Sequence, residues 1–550
     1  MELPAAGCLK EIPLLQQYAP RKATLKVVRA LLRAALPLFV LMAFSEAAAS
    51  STVTVSTGLG QIVGRQEGGL RVFRGIPYAR PPVGPLRWRP PVPEPAWRGV
   101  AEATKFGAAC PQSLRKPPPI LTDGAVMRTS EDCLTLNIWG PTGRNLPVMV
   151  FIHGGAFVEG SGAEPIYDGA HFARAGVILV TLNYRLGPLG FFAHPSLTRE
   201  AAAEAPLANY GIMDQREALR WVSKNIAAFG GDPNNITLFG QSAGAVSVLA
   251  LLTMPDEHLF AHAILQSGGP WANGQTLAEA SSDGEKIARQ AGLPDNASAA
   301  ALRALAVRSI LGAEQRRLAG APYPFAKGVI STRPIIDGRL VSQRLSTLVQ
   351  SGHLIGVPII VGFNSGEDSL LTGPGAAATF RSAFGAADAT DVERLYRPDR
   401  PDRYGHLLAA QDTDRSLFQD AILGAPARWL ARQALRSYFY YYDFVPGAVS
   451  QQQGAPHGGE LATLFGNFQA SDGLSKSDRQ SREAFSKSLR QCWISFAKAG
   501  EPRCPPFGPW PSYGETDSLL YLGSPTRVMK SFRADRFDWL DNLRQKGLLQ

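Results

Sequence analysis

The sequence predicts an α/β fold in which a large, mostly parallel central sheet is flanked by helices. Short apolar runs without polar alternation recur along the chain, at 147–152, 176–182, 235–239, 262–266, 357–362 and 437–443. Such runs are typical of strands that are buried on both faces. Helical patterns lie between several of them, and strands that alternate with helices predict a parallel sheet.

The helical pattern is clearest at 214–229, where the apolar residues fall on one side of a helix. Further helices are predicted at 243–252, 428–437 and 481–498. Residues 76–95 are rich in proline, arginine and aromatic residues and are predicted to form an ordered surface loop. Residues 372–420, rich in alanine, aspartate and arginine, are predicted to be an inserted helical cap region.

Composition excludes several classes of protein. Hydrophobic residues make up 45% of the 550 residues, which is too many for a mostly disordered chain. The formal net charge is +10, but the basic residues are dispersed among acidic ones. A nucleic-acid binder would carry them in a clustered stripe, so no nucleic-acid partner is expected.

The first 49 residues differ from the rest and predict a secretory signal peptide, followed by a single α/β domain over 50–550. Basic residues precede a short apolar run at 34–44, and small residues follow it up to Ala49. The run is too short to span a bilayer, which takes about 20 residues. We expect cleavage after Ala49, an exported (periplasmic or secreted) protein and no stable membrane span; the alternative is an uncleaved anchor.

Export also decides how the cysteines are interpreted. Cleavage would leave four of them, Cys110, Cys133, Cys492 and Cys504, in an oxidising compartment. Four cysteines allow three pairings, of which the local one is the simplest. No C-x-x-C motif or Cys/His cluster suggests zinc, so no metal site is predicted.

Ser242 is the candidate nucleophile. It lies in a G-x-S-x-G motif, 240–244, that follows the predicted strand 235–239 and opens the predicted helix 243–252. In this strand–turn–helix context the glycines allow a turn that exposes the serine Oγ above the sheet. The helix that starts there directs backbone N–H groups and a positive dipole end at the site.

A second small-residue loop, HGGAF at 153–157, follows the strand predicted at 147–152. Loops of this kind supply backbone N–H donors for an oxyanion, together with the N–H of the residue after the nucleophile, here Ala243. His153 lies on this loop, so we interpret it as a residue that orients the loop rather than as a base.

These two motifs and five further segments resemble the type-B carboxylesterase family of the α/β-hydrolase fold, and bacterial para-nitrobenzyl-type esterases in particular. The further segments are FRGIPYA at 73–79, EDCLTLN at 131–137, NYRLG at 183–187, FGGDPN at 229–234 and QSG at 266–268. The resemblance implies that the oxyanion donors are Gly155, Ala156 and Ala243. It also implies a disulfide between Cys110 and Cys133, whereas it offers no counterpart for Cys492 and Cys504.

The base and the acid are expected to follow Ser242 in the order acid, then histidine. His457 lies in a glycine-flanked loop after the strand 437–443 and resembles the family's His-Gly-x-Glu-Leu segment. Glu367 leaves the end of the strand 357–362 and aligns with the family's acid. Its neighbour Asp368 is the alternative acid, with a plain structural carboxylate as the other interpretation of that residue.

The expected function is a serine carboxylic-ester hydrolase that acts through an acyl-enzyme on a small-molecule ester and needs no cofactor. The loop 110–133 contains no aromatic residue but carries Arg115 and Lys116, and Gln241 stands where cholinesterase-like members have a glutamate. A cationic substrate would therefore find no aromatic face and no nearby negative charge. We expect the substrates to be neutral esters with short to medium acyl chains. The alternatives are a lipase or sterol-ester hydrolase of the same fold, or an adhesion-type member that has lost the chemistry.

Overall fold

Seven neighbouring strands at the centre of the sheet run parallel, as the apolar runs predict. The computed structural model describes residues 51–547 apart from 114–116, 203–204, 255–256, 272–273, 319–333, 372–374, 383–385, 397–412, 448–453 and 469–472. The predicted leader, Arg115 and Lys116 lie outside the described residues. From Thr52 onward the described residues belong to one compact unit.

The strands, in chain order, are β1 (Thr52–Thr57), β2 (Gly60–Glu67), β3 (Leu70–Pro77), β4 (Val100–Glu102), β5 (Thr135–Gly140), β6 (Leu146–Ile152), β7 (Ile178–Leu182), β8 (Gly231–Gln241), β9 (His262–Gln266), β10 (Ile359–Asn364), β11 (Ser437–Tyr442), β12 (Arg503–Cys504), β13 (Gly508–Pro509), β14 (Ser518–Leu522) and β15 (Arg527–Lys530). The main sheet has the order β1-β2-β3-β5-β7-β6-β8-β9-β10-β11-β14-β15, with β4 beside β2. The strands from β7 to β14 in this order are parallel, and antiparallel strands complete both edges.

The helices are α1 (Ala170–Arg174), α2 (Gly187–Gly190), α3 (Pro195–Glu200), α4 (Tyr210–Asn225), α5 (Ala243–Leu252), α6 (Leu277–Gln290), α7 (Ala299–Ala304), α8 (Val307–Leu318), α9 (Leu345–Gln350), α10 (Ala376–Arg381), α11 (Ala386–Leu395), α12 (Thr413–Gln419), α13 (Ala425–Gln433), α14 (Gly459–Phe465), α15 (Lys476–Ala499), α16 (Tyr513–Thr516) and α17 (Ala534–Gln545). Single turns of 3-10 helix lie at Gly84–Leu86, Pro165–Tyr167, Ile226–Phe229 and Glu367–Leu370, and a π-helical turn lies at Asp420–Gly424.

Strand β6 shows why the central strands lack polar alternation. Val148, Val150 and Ile152 are fully buried in the hydrophobic core on one face of the sheet. Met149 and Phe151 are fully buried in a second core on the other face. Since successive side chains of a strand point to opposite faces, both faces of this sheet have to be apolar.

Two predictions need correction, and a third is confirmed as far as the structure describes the residues. The predicted helix 428–437 ends earlier, because α13 stops at Gln433 and Ser437 already opens β11. The surface-loop interpretation of 76–95 is wrong at its centre, where buried Trp88 donates its indole N–H to the carbonyl of Pro188 and stacks on Phe192. The described part of the predicted cap, which includes α10, α11 and α12, is helical.

Cys110 and Cys133 form a disulfide with a Cα–Cα distance of 5.1 Å, as the resemblance implies. Cys492 and Cys504, whose pairing the sequence left open, are bonded as well. Among the residues that the structure describes, no helix is both long and apolar enough to cross a membrane.

Candidate functional site

Ser242 lies at the turn between β8 and α5, at the carboxyl edge of the parallel strands. Its backbone has φ 57° and ψ −123°, a conformation that non-glycine residues rarely adopt and that is found where function requires it. A Cβ at Gly244 would lie 2.0 Å from the carbonyl oxygen of Ile152, so only glycine fits this turn. The Ser242 hydroxyl does not cap the helix, and the side chain remains partly exposed.

The loop after β6 lies against this turn because β6 and β8 are neighbours in register, with Ile152 opposite Gly240. A Cβ at Gly154 would lie 3.1 Å from the Cβ of Ser242. Gly155 has φ 100°, and Ala156 has φ 51°, also in the left-handed region. The sharp turn so formed brings the predicted donors Gly155 and Ala156 to the same edge of the sheet as Ser242.

The third predicted donor, Ala243, is the first residue of α5. The first N–H groups of a helix have no partner within it, since the earliest intrahelical bond here is donated by Val246 to the carbonyl of Ser242. The positive end of the helix dipole adds to the attraction for a developing negative charge. The elbow therefore presents N–H groups at the place where an oxyanion would form.

His153 is buried, and its ring makes its hydrogen bond within its own loop. Its Nδ1 lies 2.8 Å from the carbonyl oxygen of Gly154, and its ring stacks on Tyr184, whose hydroxyl donates to the His153 carbonyl. Burial lowers the pKa of His153 to about 4, so the ring is neutral near pH 7. These contacts agree with an orienting role for the loop.

Glu367 and His457, which are predicted from separate segments, are hydrogen-bonded to each other. Oε2 of Glu367 lies 2.5 Å from Nδ1 of His457, and Oε1 of the same carboxylate accepts from the backbone N–H of Asn364 at 2.8 Å. Glu367 is fully buried, whereas His457 is partly exposed. A buried acid that orients an accessible imidazole is the arrangement that a nucleophilic serine requires.

Backbone contacts hold the two segments side by side. Gly366 donates to the carbonyl of Ala455 at 2.7 Å, and Ala455 donates to the hydroxyl of Ser365 at 2.8 Å. The N–H of His457 donates to the hydroxyl of Ser369 at 2.8 Å. The loop after β10 and the loop before α14 are thereby joined along several residues, which holds the segment of His457 beside that of Glu367.

The pKa of His457 lies above its ordinary value. Burial acts to lower this pKa, but the negative charge of Glu367, its hydrogen bond to the ring and the charge of Glu460 together outweigh burial. The ring therefore stays protonated at a pH where a free histidine has already lost its proton.

Asp368, the alternative acid, points elsewhere. Its Oδ2 forms an ion pair with Nη1 of Arg415 at 2.9 Å, at a partly exposed position on the predicted cap side. Of these adjacent carboxylates, Glu367 is the one that contacts His457.

Sequence reasoning missed two polar residues beside this pair, Glu460 and Asn364, and it did not foresee that Gln241 contacts the pair. Glu460 is buried and accepts hydrogen bonds from Gln266 at 3.0 Å and from Asn364 at 2.6 Å. Burial raises the pKa of Glu460, against the lowering effect of the Asn364 hydrogen bond. The sequence did contain a hint of these two residues, because Glu460 lies three residues after His457 and Asn364 lies three residues before Glu367.

Gln241 is the third missed contact. Its Nε2 lies 3.1 Å from Nε2 of His457. Ser242 and the Glu367–His457 pair lie at one site, because Gln241 precedes the serine and contacts the imidazole. No described residue hydrogen-bonds to the hydroxyl of Ser242, so serine and imidazole are not bonded directly in this structure.

The chain is similar to known esterases along most of its length. The model of the carboxylesterase family matches residues 49–539. The para-nitrobenzyl esterase of Bacillus subtilis (strain 168) is 34% identical over 486 residues, which cover 86% of this chain and 95% of that protein. The fumonisin B1 esterase of Sphingopyxis macrogoltabida is 35% identical and covers 83% and 84%, and human cocaine esterase is 31% identical and covers 92% and 95%.

Solved structures show the same likeness. A PNB esterase superposes with a TM-score of 0.76 at 32% identity, covering 89% of this chain and 99% of that chain. A carboxylesterase of Geobacillus stearothermophilus superposes with a TM-score of 0.71 at 31% identity, covering 90% and 100%. The predicted fold, a mostly parallel sheet flanked by helices as in α/β-hydrolases, is confirmed by these neighbours.

Proposed function

Because the chain belongs to the carboxylesterase family, we propose that it hydrolyses carboxylic esters with Ser242 as the nucleophile, His457 as the base and Glu367 as the orienting acid. The observation that carries this assignment is the 2.5 Å hydrogen bond between Glu367 and His457 at the edge of the sheet where Ser242 is exposed on a strained turn.

The proposed reaction has two halves. His457 takes the proton of Ser242 at Nε2 while the serine oxygen attacks the ester carbonyl, and the N–H groups of Gly155, Ala156 and Ala243 hold the oxyanion. His457 then gives the proton to the leaving alcohol, and the acyl group stays on the serine. Water, deprotonated by the same imidazole, releases the carboxylic acid and restores Ser242. Glu367 holds the ring with its proton on Nδ1 and stabilises the imidazolium.

We propose that the substrates are neutral esters with short to medium acyl chains. A quaternary ammonium group is bound by the face of an aromatic ring, and the disulfide loop 110–133 contains none. The residue before the nucleophile, which touches His457 at the second ring nitrogen, is the uncharged Gln241. A cationic alcohol would therefore find neither an aromatic face on this loop nor a carboxylate beside the serine.

We also propose that the protein is exported. The support is the predicted signal peptide together with two disulfides, which persist in oxidising compartments. Fractionation of cells that express the full chain, followed by N-terminal sequencing of the mature protein, tests this. A cytoplasmic protein that retains residues 1–49 would contradict it.

The test of the proposed chemistry combines turnover with covalent labelling. The purified protein should hydrolyse a chromogenic aryl butyrate, and an organophosphonate should add to Ser242 alone, as peptide mass mapping would show. Ser242→Ala should abolish both while retaining the wild-type melting temperature. Turnover by a clean preparation of this variant would overturn the assignment of the nucleophile, and absence of turnover by the wild type would favour an adhesion-type member.

Substrate preference is tested by comparing kcat/KM for butyrylcholine with that for a neutral butyrate ester of similar size. The neutral ester should be clearly preferred, and a long-chain triglyceride emulsion should be a poor substrate. An equal or higher value for the choline ester would refute this view of the substrate site but leave the serine-hydrolase chemistry intact.

A further inference from the structure

The residue that precedes Ser242 contacts the proposed base directly. Gln241 is 4% exposed, and its Nε2 lies 3.1 Å from Nε2 of His457. An amide nitrogen can only donate, so the imidazole nitrogen accepts, and the ring proton is on Nδ1, where it faces Glu367. The amide thus occupies the lone pair with which His457 would take the proton of Ser242.

One glycine, Gly154, leaves room for this side chain, and a second, Gly458, lies in ordinary contact distance of it. A Cβ at Gly154 would lie 2.9 Å from Oε1 of Gln241, too close for a real contact. A Cβ at Gly458, whose φ is +74°, would lie 3.5 Å from Nε2 of Gln241. The amide is therefore held between the loop after β6 and the turn that carries His457, which makes its contact with the ring a built feature of the site.

Two carboxylates act electrostatically on the His457 ring. Glu367 comes from the 3-10 turn Glu367–Leu370 and Glu460 from α14, and both favour the protonated ring. Gln241, which approaches from the end of β8, contributes a hydrogen bond but no charge. A carboxylate in its place would pair with the imidazolium at its second nitrogen and hold the proton that catalysis has to release.

We propose that Gln241 is a positioning residue that holds the neutral form of His457 ready for proton transfer and sets the lower end of the pH range in which the enzyme works. This inference rests on the proposed function. When an ester binds, the hydroxyl of Ser242 replaces the amide at Nε2, and the amide takes up the vacated position again after deacylation.

The first test is the pH dependence of kcat/KM in Gln241→Glu, which keeps the shape of the side chain and adds a charge. The acidic limb of the profile should move to higher pH by about 1–3 units, the range expected for an opposite charge in contact with a titrating group. Gln545→Glu adds the same charge on an exposed turn of α17 and should leave the profile unchanged. An acidic limb at the wild-type position in Gln241→Glu would overturn the inference.

The second variant, Gln241→Met, removes the hydrogen bond and keeps the volume. The limb should move to higher pH, by less than in Gln241→Glu, because the neutral ring loses the hydrogen bond that favours it. At the same time kcat should fall by about five- to tenfold and KM should change little, because the ring is no longer held. Full retention of kcat in this variant would overturn the positioning role even if the glutamate variant fails to fold.

Two measurements separate this inference from the proposed function. The pKa of His457 can be followed by NMR of histidine-labelled protein carrying Ser242→Ala, where it should rise when Gln241→Glu is added, and no change would count against the inference. Labelling of wild-type Ser242 by an organophosphonate tests the proposed function alone. If labelling succeeds but the pKa does not move, only the inference fails; if labelling fails, the proposed function fails.

Discussion

The two sides of the site are built differently. On the nucleophile side, Ser242 and the loop 153–157 follow neighbouring strands and meet through their backbones. On the acid–base side, Glu367 and His457 lie 90 residues apart in the chain and meet through their side chains. Glycines at positions where a Cβ would strike the opposite backbone define the first side. The second is defined by hydrogen bonds that the N–H of Asn364 donates and that the hydroxyls of Ser365 and Ser369 accept.

This difference predicts how each side responds to substitution. The nucleophile side depends on glycines, which have no Cβ where two backbones approach closely. An added methyl group should therefore damage it although no polar group is lost. The acid–base side depends on particular polar atoms, so an isosteric change of one atom should damage it although the shape is kept. Four variants or conditions test the contrast, in order of decreasing effect on activity.

The largest effect is expected for Glu367→Gln. The amide keeps the shape but cannot stabilise the imidazolium, so kcat should fall by about 10⁴-fold. Asp368→Asn is the matched control: it removes an exposed ion pair with Arg415 and should leave kcat nearly unchanged. Steady-state kinetics of both variants would decide the matter, and the reverse pattern would make Asp368 the acid.

A smaller loss is expected for Gly154→Ala on the nucleophile side. The new Cβ would lie 2.9 Å from the carbonyl oxygen of Gln241 and 3.1 Å from the Cβ of Ser242, so the loop or the elbow must shift. A displacement of this kind can cost about 10²-fold in kcat/KM.

The control for this variant is Gly312→Ala, in α8, where the nearest atom to the new Cβ would be the flexible end of Arg316 at 3.4 Å. It should retain full activity and gain slightly in melting temperature, because alanine favours helix over glycine. Equal activity of the two variants would show that the close approach of Gly154 to the elbow does not matter.

The pH dependence gives the third effect. His457 must be neutral to act as a base, and its pKa is raised above the ordinary value of about 6.5 by Glu367. Protonation therefore begins at a higher pH than for a free histidine, and kcat/KM should fall by about tenfold per unit below the raised pKa. A profile from pH 5 to 9 measures this, and a rate that stays flat between pH 5 and 8 would exclude a histidine base.

The smallest effect on activity is expected from the disulfide Cys110–Cys133. Replacing both cysteines by serine should lower the free energy of unfolding by about 3 kcal/mol, the chain-entropy value for a loop of this length. At 25 °C the folded variant should remain active, since neither cysteine contacts the proposed triad. Urea unfolding gives the loss, and reductant should destabilise the wild type more than the variant. Equal sensitivity to reductant would contradict a stabilising role for this bond.

Local features of the site could be predicted from the sequence because they depend on residues close together in the chain. The motif 240–244 and the loop 153–157 each follow a recognisable buried strand, and their glycines specify the turns. The choice between Glu367 and Asp368 could not be made from the residues alone, because adjacent carboxylates are distinguished only by which partner each reaches. The burial of Trp88 was missed for a similar reason: its contacts, Pro188 and Phe192, lie about 100 residues away.

The sequence by itself determined the α/β architecture, through apolar runs that must be buried on both faces, and the positions of Ser242 and the loop 153–157, through local turn chemistry. Only the tertiary structure decided that Glu367 rather than Asp368 meets His457, that Cys492 pairs with Cys504, and that Gln241 holds the second ring nitrogen. Each of these is a contact between distant segments, and a hydrogen bond or disulfide depends on distances of a few ångströms that no local pattern specifies.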